Sequence, residues 1–186
     1  MEPTPEMSAE ALGELLELFE SAGIPVWLDG GWGVDALLRT QTRTHKDVDI
    51  VLPVKDVPRL RELLAARGFS VLGGKPPDSF VLADGAGLEV DVHAVTFDES
   101  GDGVYRMQNG EDWVYAAAHL GGEGLVGGRR VRCLSPEAQV LCHAYGYALT
   151  EKDYRDMELL AGRFRLELPP RLRRGDAQRT QGEAGR

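Results

Sequence analysis

The run Trp27-Leu28-Asp29-Gly30-Gly31-Trp32-Gly33-Val34-Asp35-Ala36-Leu37, followed ten residues on by Asp47-Val48-Asp49, decides the fold. Val26-Trp27-Leu28 reads as a short strand, the two glycines break it, and Trp32, Val34, Leu37 and Leu38 then recur at helical spacing. A helix opened by a glycine turn directs free backbone N–H groups and the positive end of its dipole outward, which suits an anion such as a phosphate; a plain turn is the other reading. Val48 to Leu52 is a second strand, closed by Pro53. Side chains at i and i+2 of a strand share a face, so Asp47 and Asp49 converge on one side while Val48 turns to the core.

Working outward, residues 8–22 carry Leu12, Leu15, Leu16 and Phe19 at helical spacing behind Ser8 as N-cap, and Gly23 stops them. Val57 to Ala66 is a helix ended at Gly68, and strand-like runs follow at 69–72, 80–83 and 88–95. The order predicts an α+β fold, a small mixed β-sheet flanked by helices, with a helical C-terminal subdomain. From Phe97 to Asp112 the text reads as loop, so the expected division is a core at 1–108, a second subdomain at 109–168 and a disordered basic tail at 169–186. The second part holds a strand at 130–134, a helix from Ser135-Pro136-Glu137 to Tyr147, and another from Thr150, with Asp153 placed as a capping box, to Phe164. Gly122-Glu123-Gly124-Leu125-Val126-Gly127 matches GxGxxG by letter, but the strand before and helix after that a dinucleotide site requires are missing, so a flexible loop is expected.

A second strand supplies Glu89, Asp91 and His93 on one face, alternating with Val90 and Val92. Taken alone, Asp-x-Asp also fits a solvated strand edge. If the two strands are neighbours, up to four carboxylates face one another, which is unfavourable without a cation, and hard oxygen ligands of this kind suit magnesium. His93 stays open between membership of this cluster and a core histidine donating to a carbonyl. Arg39, Arg43, His45 and Lys46 precede the acidic pair, and Lys152 sits in the first turn of its helix, where a cation opposes the macrodipole. A polyphosphate beside metal-binding carboxylates would use such cations; solvation is the other reading.

Net charge is −9, and the last 18 residues hold five Arg against Asp176 and Glu183, so residues 1–168 carry −12. An acidic body disfavours nucleic acid and suits cationic small molecules or metal ions. Cys133 and Cys142 lack metal-ligand spacing and read as buried thiols. No run is long and apolar enough to span a membrane and no leader pattern opens the chain, so a soluble cytoplasmic protein is expected.

Gly30-Gly31, a helix, Asp47-x-Asp49 and Asp91 on a later strand resemble the nucleotidyltransferase superfamily typified by DNA polymerase β. The stretches 27–37, 41–49, 129–139 and 146–156 look like those of lincosamide nucleotidyltransferases and the related aminoglycoside 2''-nucleotidyltransferases, covering about 24 to 160. The resemblance implies a polymerase β-like nucleotidyltransferase core and transfer of AMP from ATP, or another nucleoside monophosphate from its NTP, to a hydroxyl of a cationic antibiotic. A lincosamide is favoured; an aminoglycoside, or a protein hydroxyl as in antitoxin-like members, is the alternative. It further implies that Asp47, Asp49 and Asp91 hold one or two Mg²⁺, with Asp91 as ligand, base or both. Glu89 and His93 would assist, and Gly30, Gly31, Arg43 and Lys152 would hold the nucleotide. Tyr105, Glu111, Asp112 and Trp113 would form the acceptor wall. A homodimer is compatible with the pattern.

Overall fold

The computed structural model describes residues 6–145 and 148–174. In chain order these form α1 (Ala9–Ser21), β1 (Trp27–Asp29), α2 (Gly30–Leu38), β2 (Asp47–Pro53), α3 (Val57–Ala65), β3 (Ser70–Lys75), β4 (Ser79–Ala83) and β5 (Glu89–Phe97). β6 (Gly103–Arg106), β7 (Asp112–Tyr115), β8 (Gly122–Val126), β9 (Arg129–Cys133), α4 (Pro136–Tyr145) and α5 (Glu151–Phe164) complete them. The strands join in one mixed sheet of order β3-β4-β5-β2-β1-β9-β8, from which the β6–β7 hairpin extends off β5. β2 runs parallel to β5 and antiparallel to β1, and β1 runs parallel to β9.

Alternation along the central strands separates two environments. Val48, Ile50 and Leu52 of β2 and Val90 and Val92 of β5 are fully buried in the main core with Leu12, Leu15, Leu16 and Phe19 of α1 and Leu60 and Leu64 of α3. Ser8 caps α1 by accepting from the Ala11 N–H, and Ser135 does the same for α4 through the Ala138 N–H. The opposite face carries Asp47 and Asp49, then Val51, which packs with Val95, Tyr105, Tyr115, Leu134 and Ala138 in a smaller second core. Among the described residues no helix is long and apolar enough to cross a membrane.

Three expectations change. The stretch read as loop between Phe97 and Asp112 contains β6, paired with β7 through Tyr105↔Trp113 and Arg106↔Asp112. Gly103 and Tyr105 are buried while Arg106 is exposed, a period-two signal masked by the polar turns on either side. The turn before β6 is held by the Asp98 carboxylate, which accepts from the Ser100 and Asp102 N–H groups, and residues 108 and 109 lie in the hairpin's own turn. The GxGxxG stretch is a strand rather than a flexible loop, because its glycines permit close backbone packing: a Cβ on Gly124 would overlap the Ala36 carbonyl of α2. Third, the tail does not begin at Pro169. Pro170–Leu172 forms a 3-10 turn with Leu172 fully buried, Arg171 donates to the Ala144 carbonyl at 2.7 Å and Arg173 to the Leu168 carbonyl at 2.8 Å. Leu172 is the apolar anchor that average composition concealed. Residues 175–186, and the end of the helix expected to reach Tyr147, lie outside the described residues.

Gly124→Ala should therefore destabilise by about 1–3 kcal/mol through overpacking, at about 2–4 °C of melting temperature per kcal/mol for a chain of this size. Gly13, inside α1 with open space around its Cβ position, behaves oppositely: Gly13→Ala gains about 0.5–1 kcal/mol of helix stability. Scanning calorimetry of the two variants checks both signs.

Candidate active site

The parallel register of β2 and β5 places Asp47 beside Glu89, Asp49 beside Asp91 and Val51 beside His93. Asp49, Asp91 and His93 bring ligand atoms within 4.8 Å of one another, and Asp47 lines the same cleft one register step away. Glu89 is engaged by Lys46 Nζ at 2.5 Å, which offsets its charge and keeps it at the rim. His93 belongs to the cluster, with Nε2 3.4 Å from Asp91 Oδ1, rather than serving as an isolated core histidine.

One acid escaped the sequence reading. The antiparallel β1–β2 pairing sets Asp29 opposite Asp49. Asp29 is 5% exposed; its Oδ1 accepts from the Gly30 N–H at 2.7 Å and so caps α2, while Oδ2 lies 3.7 Å from His93 Nδ1, an ion-pair distance rather than a hydrogen bond. The Gly30 N–H expected to await a phosphate is thus already satisfied. An Asp directly before a helix-opening glycine is an N-cap signal, which could have revealed the capping role but not the contact with His93.

The electrostatics follow. Desolvation raises the Asp49 carboxyl to about 7, helped by Asp29, Asp91 and Asp47 and opposed by His93. Burial would also raise Asp29, but His93 and the Gly30 N–H outweigh it and hold Asp29 below the usual value. Burial alone would lower His93; the flanking Asp29 and Asp91 carboxylates instead raise it well above the usual range. A partly buried set of carboxylates, one of them raised toward neutrality chiefly by burial, fits a hard divalent cation, for which Asp47, Asp49 and Asp91 would supply the oxygens with His93 beside them.

The glycine pair owes its composition to close approaches. Gly30 has φ +56°, and a Cβ there would overlap the Asp49 carboxylate; a Cβ on Gly31 would strike the Arg43 guanidinium. Arg43 is held by Asp156 of α5 and by His45, whose Nε2 pairs with Asp35 Oδ2 of α2 at 2.6 Å. The Thr42 hydroxyl donates to the other Asp35 oxygen at 2.7 Å, and the His45 ring lies 4.5 Å from that of Trp32. Lys152 lines the cleft from the first turn of α5. The cleft encloses about 900 Å³.

The far wall is aromatic. Tyr105 stacks on His93 with ring centroids 5.1 Å apart and donates its hydroxyl to Ser79 Oγ at 2.7 Å; Trp113 meets Tyr115 edge-on. Of the two acids expected there, Asp112 is paired with Arg106 at 2.6 Å and Glu111 accepts from Asn109 at 2.9 Å. The structure brings Gly30, Gly31, Arg43, Asp47, Asp49, Asp91, His93, Tyr105, Glu111, Asp112, Trp113 and Lys152 to one cleft.

Residues 11–160 match the model of the aminoglycoside-2''-adenylyltransferase family. The chain is 32% identical over 146 residues to a lincosamide resistance protein of Staphylococcus haemolyticus, covering 78% of this chain and 89% of the relative. It is 28% identical over 137 residues to a 2''-aminoglycoside nucleotidyltransferase of Klebsiella pneumoniae, covering 71% and 70%. Among solved structures, a lincosamide antibiotic adenylyltransferase with lincomycin bound superposes with TM-score 0.74 at 30% identity, over 83% of this chain and 97% of that one. An enzyme in complex with adenylyl-2''-tobramycin shares the fold at TM-score 0.67 and 21% identity, over 84% and 88%.

A carboxyl raised from 3.8 to about 7 is protonated in the folded chain and ionised in the unfolded chain between those values. Its contribution to stability therefore falls as pH rises from about 4 to about 7, and a tenfold displacement of a proton equilibrium is worth about 1.4 kcal/mol. In chelator, Asp49→Asn should raise the melting temperature at pH 8 and leave it nearly unchanged at pH 4. Equal shifts at both pH values in calorimetry would contradict the assignment.

Proposed function

Since the chain belongs to the aminoglycoside-2''-adenylyltransferase family and is a nucleotidyltransferase of the antibiotic-modifying kind, we propose that it transfers AMP from ATP to a hydroxyl of a lincosamide with Mg²⁺ as cofactor. The observation that carries the choice of acceptor is the β6–β7 wall. It offers Tyr105, Trp113 and Tyr115, and Asp112 there is already neutralised by Arg106. An aminoglycoside presents several ammonium groups and little apolar area, so it calls for many uncommitted carboxylates. A lincosamide presents one basic amine and an alkyl-substituted ring, for which aromatic surface and one free acid suffice. The greater likeness to the lincosamide relatives supports the same reading.

In the proposed reaction the acceptor hydroxyl attacks the α-phosphorus in line. An oxygen–phosphorus bond forms to the drug, the bond from the α-phosphorus to the bridging oxygen breaks, and pyrophosphate leaves. Asp91, open to the cleft beside Asp49, receives the hydroxyl proton, and His93 orients its carboxylate. Asp47, Asp49 and Asp91 would hold a divalent cation, which when bound would neutralise phosphate charge. Arg43 and Lys152 provide positive charge on the triphosphate side, and Tyr105 and Trp113 hold the acceptor ring.

Incubation with Mg²⁺, ATP and a panel of lincomycin, clindamycin, kanamycin and tobramycin should give, by mass spectrometry, the adenylyl adduct of the lincosamides. Adducts confined to the aminoglycosides would overturn the acceptor and leave the chemistry standing; no adduct and no pyrophosphate release would overturn both. Asp49→Asn should lower turnover by several orders of magnitude with the fold retained, since an amide replaces an anionic ligand.

A further inference from the structure

Arg43 is heavily committed for a residue that faces a phosphate. A guanidinium has five N–H donors. Nε and Nη2 both reach Asp156 Oδ2, at 3.0 and 2.9 Å, and Nη1 reaches the Thr44 carbonyl at 3.2 Å and His45 Nδ1 at 3.0 Å. One Nη2 hydrogen remains for a ligand. Asp156 is 1% exposed, and its carboxylate offsets part of the charge that Arg43 directs at an anion. A residue serving only to attract phosphate gains nothing from this partner, so the pair has another task.

The task is visible on α5. Residues four apart lie one above the other on a helix face, which puts Lys152 one turn before Asp156. The apolar side chains that α5 buries are Met157 and Leu160, both after Asp156. The turn carrying Lys152 buries Asp153, whose carboxylate closes the capping box with Thr150 and lies 4.0 Å from His143 Nε2 of α4, while Leu149 just before the turn packs on the main core. Those contacts tie the turn to α4 and the core; the bridge from Asp156 to Arg43 ties it to the glycine turn, against which the guanidinium lies, and Arg43 is in turn held by His45, itself paired with Asp35.

We infer that Asp156 is a positioning residue: through its ion pair with Arg43 it docks the first turn of α5 on the glycine turn so that Lys152 meets the triphosphate. The inference rests on the nucleotide side of the proposed function and is independent of the acceptor. Arg43 then couples two walls of the cleft, and Asp156 acts on the nucleotide without touching it.

The test is a double-mutant cycle read by calorimetric binding of ATP in excess Mg²⁺, which needs no acceptor and no turnover. Lys152→Met should weaken ATP binding about tenfold or more, the range for a charge-assisted contact. Asp156→Asn should weaken it several-fold, Asp156→Glu should recover part of the loss, and Lys152→Met with Asp156→Asn together should be no weaker than Lys152→Met alone. Melting temperatures are taken alongside. If Asp156→Asn fails to fold, Arg43→Gln with Asp156→Asn, which buries no lone charge, enters the same cycle with Lys152→Met. Unchanged binding in a folded Asp156→Asn, or losses that multiply with those of Lys152→Met, would overturn the positioning role and leave the proposed function intact. Unchanged binding in Lys152→Met would overturn this inference and the nucleotide assignment of Lys152 together.

Discussion

Mutual repulsion among carboxylates is the constraint around which this molecule is organised. The in-phase pairing of β2 with β5 stacks Asp49 on Asp91 and sets Asp47 beside Glu89, while the antiparallel β1 adds Asp29. Three of the acids are answered locally: Lys46 takes Glu89, the α2 terminus and His93 take Asp29, and His93 also faces Asp91. Asp49 has its proton affinity raised first by burial and then further by Asp29, Asp91 and Asp47, against His93. The sheet can hold this arrangement because its other face buries an uninterrupted row of aliphatic side chains, whose removal from water offsets the electrostatic cost.

The same economy of space explains the glycines and the aromatic wall. With Asp49 and Arg43 pressed against consecutive glycines, the strand, the helix terminus and the cationic loop meet without an intervening side chain. On the other side, His93 belongs at once to the acidic cluster and to the aromatic stack with Tyr105. Charge and apolar surface are thereby brought together at one imidazole, where a polar reacting group and an apolar ring of one acceptor molecule can be accommodated side by side.

Much of this was legible in the linear text. Strict alternation in Asp47-Val48-Asp49 and Glu89-Val90-Asp91-Val92-His93 specified both the strands and their acidic face, because a one-residue slip would bury the acids. The helices were equally plain, since Leu12, Leu15, Leu16 and Phe19 repeat at helical spacing behind a capping Ser8. What stayed hidden depended on distant pairings. Asp156 reads as a surface helix acid until α5 folds against Arg43, 113 residues away, and Asp29 reads as a turn residue until β1 pairs with β2. β6 was missed for a local reason: four residues between polar turns offer too short an alternation to stand out, and Leu172 was lost in an arginine-rich average.

Among the described residues the hairpin of β6 and β7 joins the strand pairing of the sheet at the end of β5, from Val95 to Phe97, while Tyr105 and Tyr115 reach inward to Ser79, His93 and the second core. The acids lie at the opposite end of β5 and β2 from that seam, where the two strands pair with each other. Such an attachment leaves the outer part of the hairpin free to drift in length and charge while the register of β2 on β5, and the Tyr105 ring stacked on His93, stay in place. A lineage bearing this scaffold can alter the mouth of the cleft at the exposed turn of the hairpin, around Asn109 and Gly110, without disturbing the strands that carry the acids.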